Sequence, residues 1–200
     1  MSTGRASKSG HTLIELTVAS AVLLVLMSSI FQIFVAAKRY QENCEAKIEL
    51  QGNVLTALSK MSQELVESDR YAVQVSAANS CIIFSTPRGL DGRVSFDSAG
   101  RLLWKKTVLY YTQVSPEGIP TLYRKTIVVS PWLSDVPPPP PPVAVRDDGS
   151  IPARVVAKNI KNFVPKLNPD GTVGLLVQGE FKLYTRTYGV EVQGQVFPNN

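Results

Sequence analysis

A carboxylate, Glu15, stands at the mouth of an uncharged stretch that runs from Leu16 to Ala37. Inside an apolar layer such a charge costs about 2.5–3.5 kcal/mol, so a chain that keeps it needs something to neutralise it. Cutting the chain after Gly10 supplies a partner, because a new α-amine then appears on His11, four residues before Glu15. Within one helix the two groups lie about one turn apart, and the carboxylate sits near the positive end of the helix dipole. Between two staggered copies, the Glu15 of one meets the His11 amine of the next, and a membrane segment becomes an assembly device. This is charge pairing rather than catalysis. His11 is the only histidine, so no serine or cysteine has another imidazole for a base. Asp91, Asp97, Glu117, Asp147, Asp148 and Asp170 adjoin glycine or turn residues, where acidic side chains serve turn geometry. Asp147, Asp148 and Asp170 lack a recognisable calcium-loop spacing, so the expectation is a chain without metal, cofactor or enzymatic activity.

The elements that must position Glu15 begin with the stretch behind it. About 22 residues at 1.5 Å rise give roughly 33 Å, enough to span the hydrocarbon core of a membrane. At 100° per residue, Thr17, Ala21, Ser28 and Gln32 fall on one side as a small and polar stripe, the kind that lets membrane helices approach and hydrogen-bond. Past Lys38 and Arg39 the chain turns polar but keeps a helical period through Ile48, Val54, Leu55, Leu58, Met61, Leu65 and Val66. Glu42, Glu45, Lys47, Glu49, Lys60, Glu64 and Glu67 form the opposite, solvated face. The pattern predicts an unbroken helix to about Ser68, with Gly52 its only soft point.

The rest reads as β-rich. Strands are expected at 72–76, 81–85, 94–97, 102–106, 108–114 and 122–129, with hairpin turns at Asp97 to Gly100 and Pro116 to Gly118. Six consecutive prolines, Pro137 to Pro142, predict an extended surface loop that acts as a spacer within 131–152. The chain resumes at 154–163, turns at Pro169-Asp170-Gly171, and ends in strands at 173–184 and 189–197. The expected fold is α+β. A long N-terminal helix, membrane-spanning over 11–37 and amphipathic over 38–68, packs on an antiparallel β-rich head, 72–200.

A short basic leader, 1–10, ending in Gly10, then His11-Thr12-Leu13-Ile14-Glu15-Leu16 and a long apolar helix, resembles the prepilin signal of type IV pilins and type II secretion pseudopilins. The resemblance covers about thirty residues. It implies a pilin-like fold and a membrane-bound prepilin peptidase that cuts after Gly10 and N-methylates His11. It implies that Glu15 aligns subunits, and that the partners are other pilin or pseudopilin subunits and an inner-membrane assembly platform. The head would then sit in the periplasm, and after assembly in a pilus or pseudopilus. Two departures stand out: His11 occupies a position where relatives most often have phenylalanine, and no proline precedes Pro87. Val108-Leu109-Tyr110-Tyr111, a turn, then Leu122-Tyr123-Arg124 is similar to paired strands in PilW-like and GspJ-like minor pilins. The competing reading is a signal-anchored or secreted β-rich binding domain that never polymerises; Val35 and Ala37 offer small residues for an ordinary signal cleavage.

Composition narrows the remaining classes. The chain has 200 residues and a formal charge of +5, but Arg5 and Lys8 lie in the leader and leave only a weak basic bias. Lys105, Lys106, Arg124, Lys125, Lys158, Lys161 and Lys166 sit near Trp104, Tyr110 and Tyr123, a composition that DNA-binding surfaces share. Strand alternation, with Trp104 inward and Lys105 outward, accounts for most of them without DNA. Cys44 and Cys81 are too few for a zinc site or a disulfide scaffold. Whether they form one disulfide or stay separate thiols is open at this level.

Overall fold

The computed structural model describes residues 12–184 and 186–198. The chain divides into two compact units, Met1–Ala46 and Lys47–Asn200. One helix, α1, covers Leu13–Val66 and passes Gly52 without a break. It ends where Ser68 turns its amide and its hydroxyl back onto the carbonyl of Leu65.

In the first unit, every residue from Thr12 to Phe34 is exposed. This is one helix long and apolar enough to cross a membrane, and none of its apolar window is buried.

The second unit is α+β. Strands β1 (Val73–Ser76), β2 (Cys81–Thr86), β3 (Trp104–Val114), β4 (Pro120–Leu133) and β5 (Ala153–Lys158) form an antiparallel sheet in that order. A short helix, α2 (Pro142–Asp147), interrupts the connection between β4 and β5. Strands β6 (Ile160–Leu167), β7 (Val173–Leu183) and β8 (Arg186–Val196) form a second, three-stranded antiparallel sheet.

The period of 3.6 decides which helical residues reach the core. Leu50, Val54, Ala57, Met61 and Leu65 are buried, and they fall within about 80° of one another. Ile48, Leu55 and Val66 point roughly the opposite way, and all three are exposed. The expected apolar stripe therefore held two faces, of which only one is covered. The buried face packs with Ile82, Phe84, Val108, Tyr110 and Leu122 of the larger sheet and with Phe163, Leu175 and Val177 of the smaller one. Close approach to β7 requires Gly179: a Cβ there would lie 2.7 Å from Leu50 Cδ1 and 2.9 Å from Val54 Cγ2.

Alternation sends the other side chains of β2 and β3 to a second cluster. Cys81, Ile83, Leu109 and Tyr111 are buried there with Val145 of α2. The larger sheet is thus covered on both faces, which explains why β2 is buried along its full length.

Several expected boundaries move. Residues 94–97 form no strand; Phe96 and Leu102 share one isolated bridge across the turn at Asp97. The runs 102–106 and 108–114 merge into β3 across a register irregularity between Trp104 and Lys106. The run 154–163 splits at Asn159, whose left-handed φ of 62° lets the chain leave one sheet and enter the other. The proline segment is not only a spacer, because Pro139 is buried and Pro142 opens α2. The turn at Pro169-Asp170-Gly171 forms as expected, with Gly171 at φ 84° and Asp170 accepting the Thr172 amide.

Candidate functional site

Of the residues that the sequence marks for processing and assembly, Gly10 and His11 lie outside the described residues. Glu15 sits in the first turn of α1 and makes a local arrangement there. The Thr12 amide donates to Glu15 Oε2 at 2.9 Å, and the Glu15 amide donates to Thr12 Oγ1 at 3.3 Å. This is a reciprocal capping box, which satisfies two of the amides that a helix start leaves without partners. The signal was present in the sequence as Thr12-x-x-Glu15 before an apolar run, and Thr12 belongs with Glu15 among the site residues.

Three hydroxyls along the apolar helix turn inward on their own backbone. Thr17 Oγ1 donates to the Ile14 carbonyl, Ser20 Oγ to that of Leu16, and Ser29 Oγ to that of Val25. Such bonds remove the cost of a bare hydroxyl in lipid. No side-chain hydrogen bond to a described residue engages Ser28 or Gln32, although both share the exposed stripe with Thr17. A glutamine amide there has its full donor and acceptor capacity to offer to another helix.

The second unit contains a polar cluster that the sequence reading placed wrongly. Glu64 is not on a solvated face. It follows Ala57 by seven positions and Met61 by three, which puts it beside the buried face. Its carboxylate accepts from Arg124 Nη2 at 2.7 Å and from the Tyr110 hydroxyl at 2.7 Å. The side chains of Glu64 and Arg124 are only 18% and 12% exposed. Burial, and then the adjacent Glu64 carboxylate, push the Tyr110 hydroxyl far above the usual tyrosine range. Burial opposes the charge of Arg124, but the hydrogen bonds it donates to Glu64, the charge of that carboxylate and the nearby Tyr110 hydroxyl together outweigh it and raise its pKa. Glu67 pairs in the same way with Arg88, whose Nε donates to both carboxylate oxygens at 2.7 and 2.8 Å. These two ion pairs tie the end of α1 to the sheet side of the unit. The i+3 and i+7 spacing to buried residues is the signal that could have found Glu64.

The basic residues divide, with Lys158 of β5 and Lys161 and Lys166 of β6 exposed and three others not. Lys105, Lys106 and Lys125 are buried, as are Trp104 and Tyr110. The outward orientation expected for Lys105 fails at the register irregularity beside it, a feature that re-aims side chains. Its ammonium donates to Ser95 Oγ at 2.6 Å and lies 4.6 Å from the centre of the Trp132 ring. Burial pushes the Lys106 ammonium below the usual lysine range. Lys125 Nζ donates to the carbonyls of Val145, Arg146 and Asp148, at 3.2, 2.7 and 2.7 Å. It therefore closes the C-terminal end of α2, where a cation is favoured.

Both cysteines are free thiols. Cys81 alternates with Ile82 and Phe84, which face α1, so its sulfur is directed into the cluster under α2 instead. Burial raises the thiol pKa of Cys81, which leaves it a poor nucleophile. The turn carboxylates have local partners. Asp97 accepts from the amides of Ala99 and Arg101, Asp91 from Arg93, and Asp148 from Ser150.

No family model matches this chain, and neither a curated protein nor a solved structure matches it.

Proposed function

We propose that this chain is a minor pilin or pseudopilin, a structural subunit stored in the inner membrane by the first half of α1 and assembled into a type IV pilus or type II secretion pseudopilus. Prepilin peptidase cuts after Gly10 and the new amine on His11 is methylated. The mature helix then leaves lipid for a bundle of like helices, while the β-rich head faces the periplasm or the exterior. The observation that carries this reading is the contrast within α1. From Thr12 to Phe34 the helix is uncovered on all sides, yet Thr17, Ser28 and Gln32 keep polar groups on one of them. A helix that only ever met lipid would have no use for the Gln32 amide.

The experiment is determination of the mature N-terminus by mass spectrometry in the native host. A start at methylated His11 is expected, and Gly10→Ala should leave a full-length precursor in the inner membrane. An intact leader in the wild-type protein, or a start after Ala37, would remove the reading.

A signal-anchored head that never polymerises is the second reading, and the Thr12 and Glu15 capping box favours it. That arrangement gives the carboxylate a purpose within a single chain. The two readings separate at Glu15→Gln, because glutamine keeps the box and removes the charge.

A further inference from the structure

The larger sheet is left open along one inner strand. β5 pairs with β4 from Thr121↔Lys158 to Lys125↔Ala153, whereas β4 continues to Leu133. From Thr126 onward β4 has β3 on one side and no described strand on the other. An edge of this kind presents a row of N–H and C=O groups to any extended chain that reaches it. Native edges are usually blunted, and Pro131 does so near the far end. The stretch from Thr126 to Ser130 has no proline and no charge.

The surface beside this edge is shaped and apolar. Two hollows of about 280 Å³ each adjoin one another and share Leu90 and Val128 in their walls. Trp132 lines one of them and Arg154 the other. Leu90 is 73% exposed, and Val128 and Trp132 are 53% exposed each. Three large apolar side chains thus stand in water along one short groove.

The charges in the groove are unequal in availability. Arg124 is engaged by Glu64, the Lys105 ammonium by Ser95 and the Arg93 carbonyl, and Asp91, an exposed carboxylate in the hollow that Trp132 lines, by the Arg93 amide. Arg154 is exposed at the start of β5, and no described carboxylate pairs with it.

We propose that the β4 edge is a docking strand for an extended, largely apolar segment of another protein that carries one carboxylate at its Arg154 end. The segment pairs its backbone with Thr126 to Ser130, sets alternate apolar side chains into the two hollows, and places a carboxylate on Arg154. Backbone pairing gives the affinity and the pockets for alternate side chains give the selectivity, as in other strand additions. A second copy pairing through its own β4 is the poorer occupant, since the sequence from Thr126 to Leu133 carries no carboxylate for Arg154. Nucleic acid is poorer still, because one available guanidinium is a small footprint for a polyanion. The proposal goes beyond the filament reading and does not rest on it, because an anchored head that never polymerised would carry the same edge.

The test uses the full chain in detergent micelles and hydrogen–deuterium exchange read over β4. The probe is a capped peptide, valine-threonine-valine-threonine-glutamate, which puts two valines and the carboxylate on one face of a strand. A counterpart with lysine in place of glutamate is the control. At saturating concentration the glutamate peptide should slow exchange from Thr126 to Ser130 about tenfold, the protection given at about ten times the dissociation constant. The lysine peptide should leave it unchanged. Arg154→Glu should reverse the preference, and because Arg154 is exposed this variant should keep the exchange pattern of β2 and β3. Failure of both peptides to protect β4 would overturn the proposal, as would protection that ignores the charge at position 154. Protection that grows with protein concentration in the absence of peptide would identify a second copy as the occupant, and would overturn it equally.

Discussion

Between Leu13 and Phe34 the side chains of α1 stand in the open, whereas between Leu50 and Leu65 the same helix hides Leu50, Val54, Ala57, Met61 and Leu65 completely enough to form the centre of the head. The first stretch is apolar on every side but the one that carries Thr17, Ser28 and Gln32. The second is apolar on one stripe, with Glu64 and Glu67 beside that stripe and reaching Arg124 and Arg88. Burial of each large aliphatic side chain contributes about 1.5–3 kcal/mol, so the second stretch obtains its stability from its own chain. The first has no such burial among the described residues. Polar groups follow the same division. Thr17, Ser20 and Ser29 bond back to their own helix, while Glu64 bonds across to a sheet.

Paired truncations would test this division most severely. Met61→Ala removes a side chain with no exposure and should destabilise the head by about 2–5 kcal/mol. Leu23→Ala removes a side chain that is 56% exposed and should change head stability by no more than about 0.5 kcal/mol. Urea unfolding of the full chain in detergent, followed by tryptophan fluorescence, reads both. Equal losses would mean that the two stretches of α1 are not energetically distinct.

The ion-pair cluster sharpens the comparison at the next level. Glu64→Ala leaves Arg124 largely buried without its carboxylate and should cost about 3 kcal/mol, more than a surface pair would. Tyr110→Phe removes one hydrogen bond to Glu64 and should cost about 1 kcal/mol at neutral pH. Its pH signature is more specific. The folded pKa of Tyr110 is raised, while the unfolded chain titrates near 10. The stability due to its neutral form is therefore complete below about pH 10 and is lost as pH rises toward the folded value. Tyr110→Phe should flatten that alkaline decline relative to the wild type. An unchanged alkaline limb would mean that Tyr110 ionises as freely in the head as in the unfolded chain.

Much of this architecture is legible in the sequence because it is local. The apolar run from Leu16 to Ala37, the helix end near Ser68 and the turn at Asp170-Gly171 each follow from a few neighbouring residues. What escaped depends on partners distant in the chain. Glu64 reads as a surface residue until Arg124 and Tyr110, far along the chain, are brought to it by β3 and β4. Lys105 reads as outward until the irregularity beside it breaks alternation. Asn159 looks like a strand residue until two sheets must be joined there, and α2 is hidden within a proline-rich segment whose packing depends on Lys125. The capping box is a different case, since Thr12 and Glu15 are three residues apart and their pattern was visible from the start.

That pattern gives the mildest perturbation and the most discriminating one. Thr12→Ala removes the hydroxyl that accepts the Glu15 amide and should cost the helix start about 1 kcal/mol. Glu15→Gln should cost it only a few tenths, because glutamine also closes a capping box. If Glu15 serves only to start the helix, membrane insertion and any assembly should be more sensitive to Thr12→Ala than to Glu15→Gln. If Glu15 serves to meet the α-amine of a neighbouring subunit, the order reverses: Thr12→Ala assembles, while Glu15→Gln is cleaved after Gly10, remains in the membrane, and is depleted from sheared filaments and from pull-downs of partner subunits. Glu15→Leu should behave like Glu15→Gln in assembly, and should insert at least as well as the wild type because a costly charge has left the apolar layer. Wild-type incorporation of both Glu15 variants would leave the carboxylate with its helix-capping role alone. A subunit at a filament tip has one neighbour fewer and would tolerate the loss, so tolerance must be accompanied by a tip position, seen by labelling the head, for the pairing to survive.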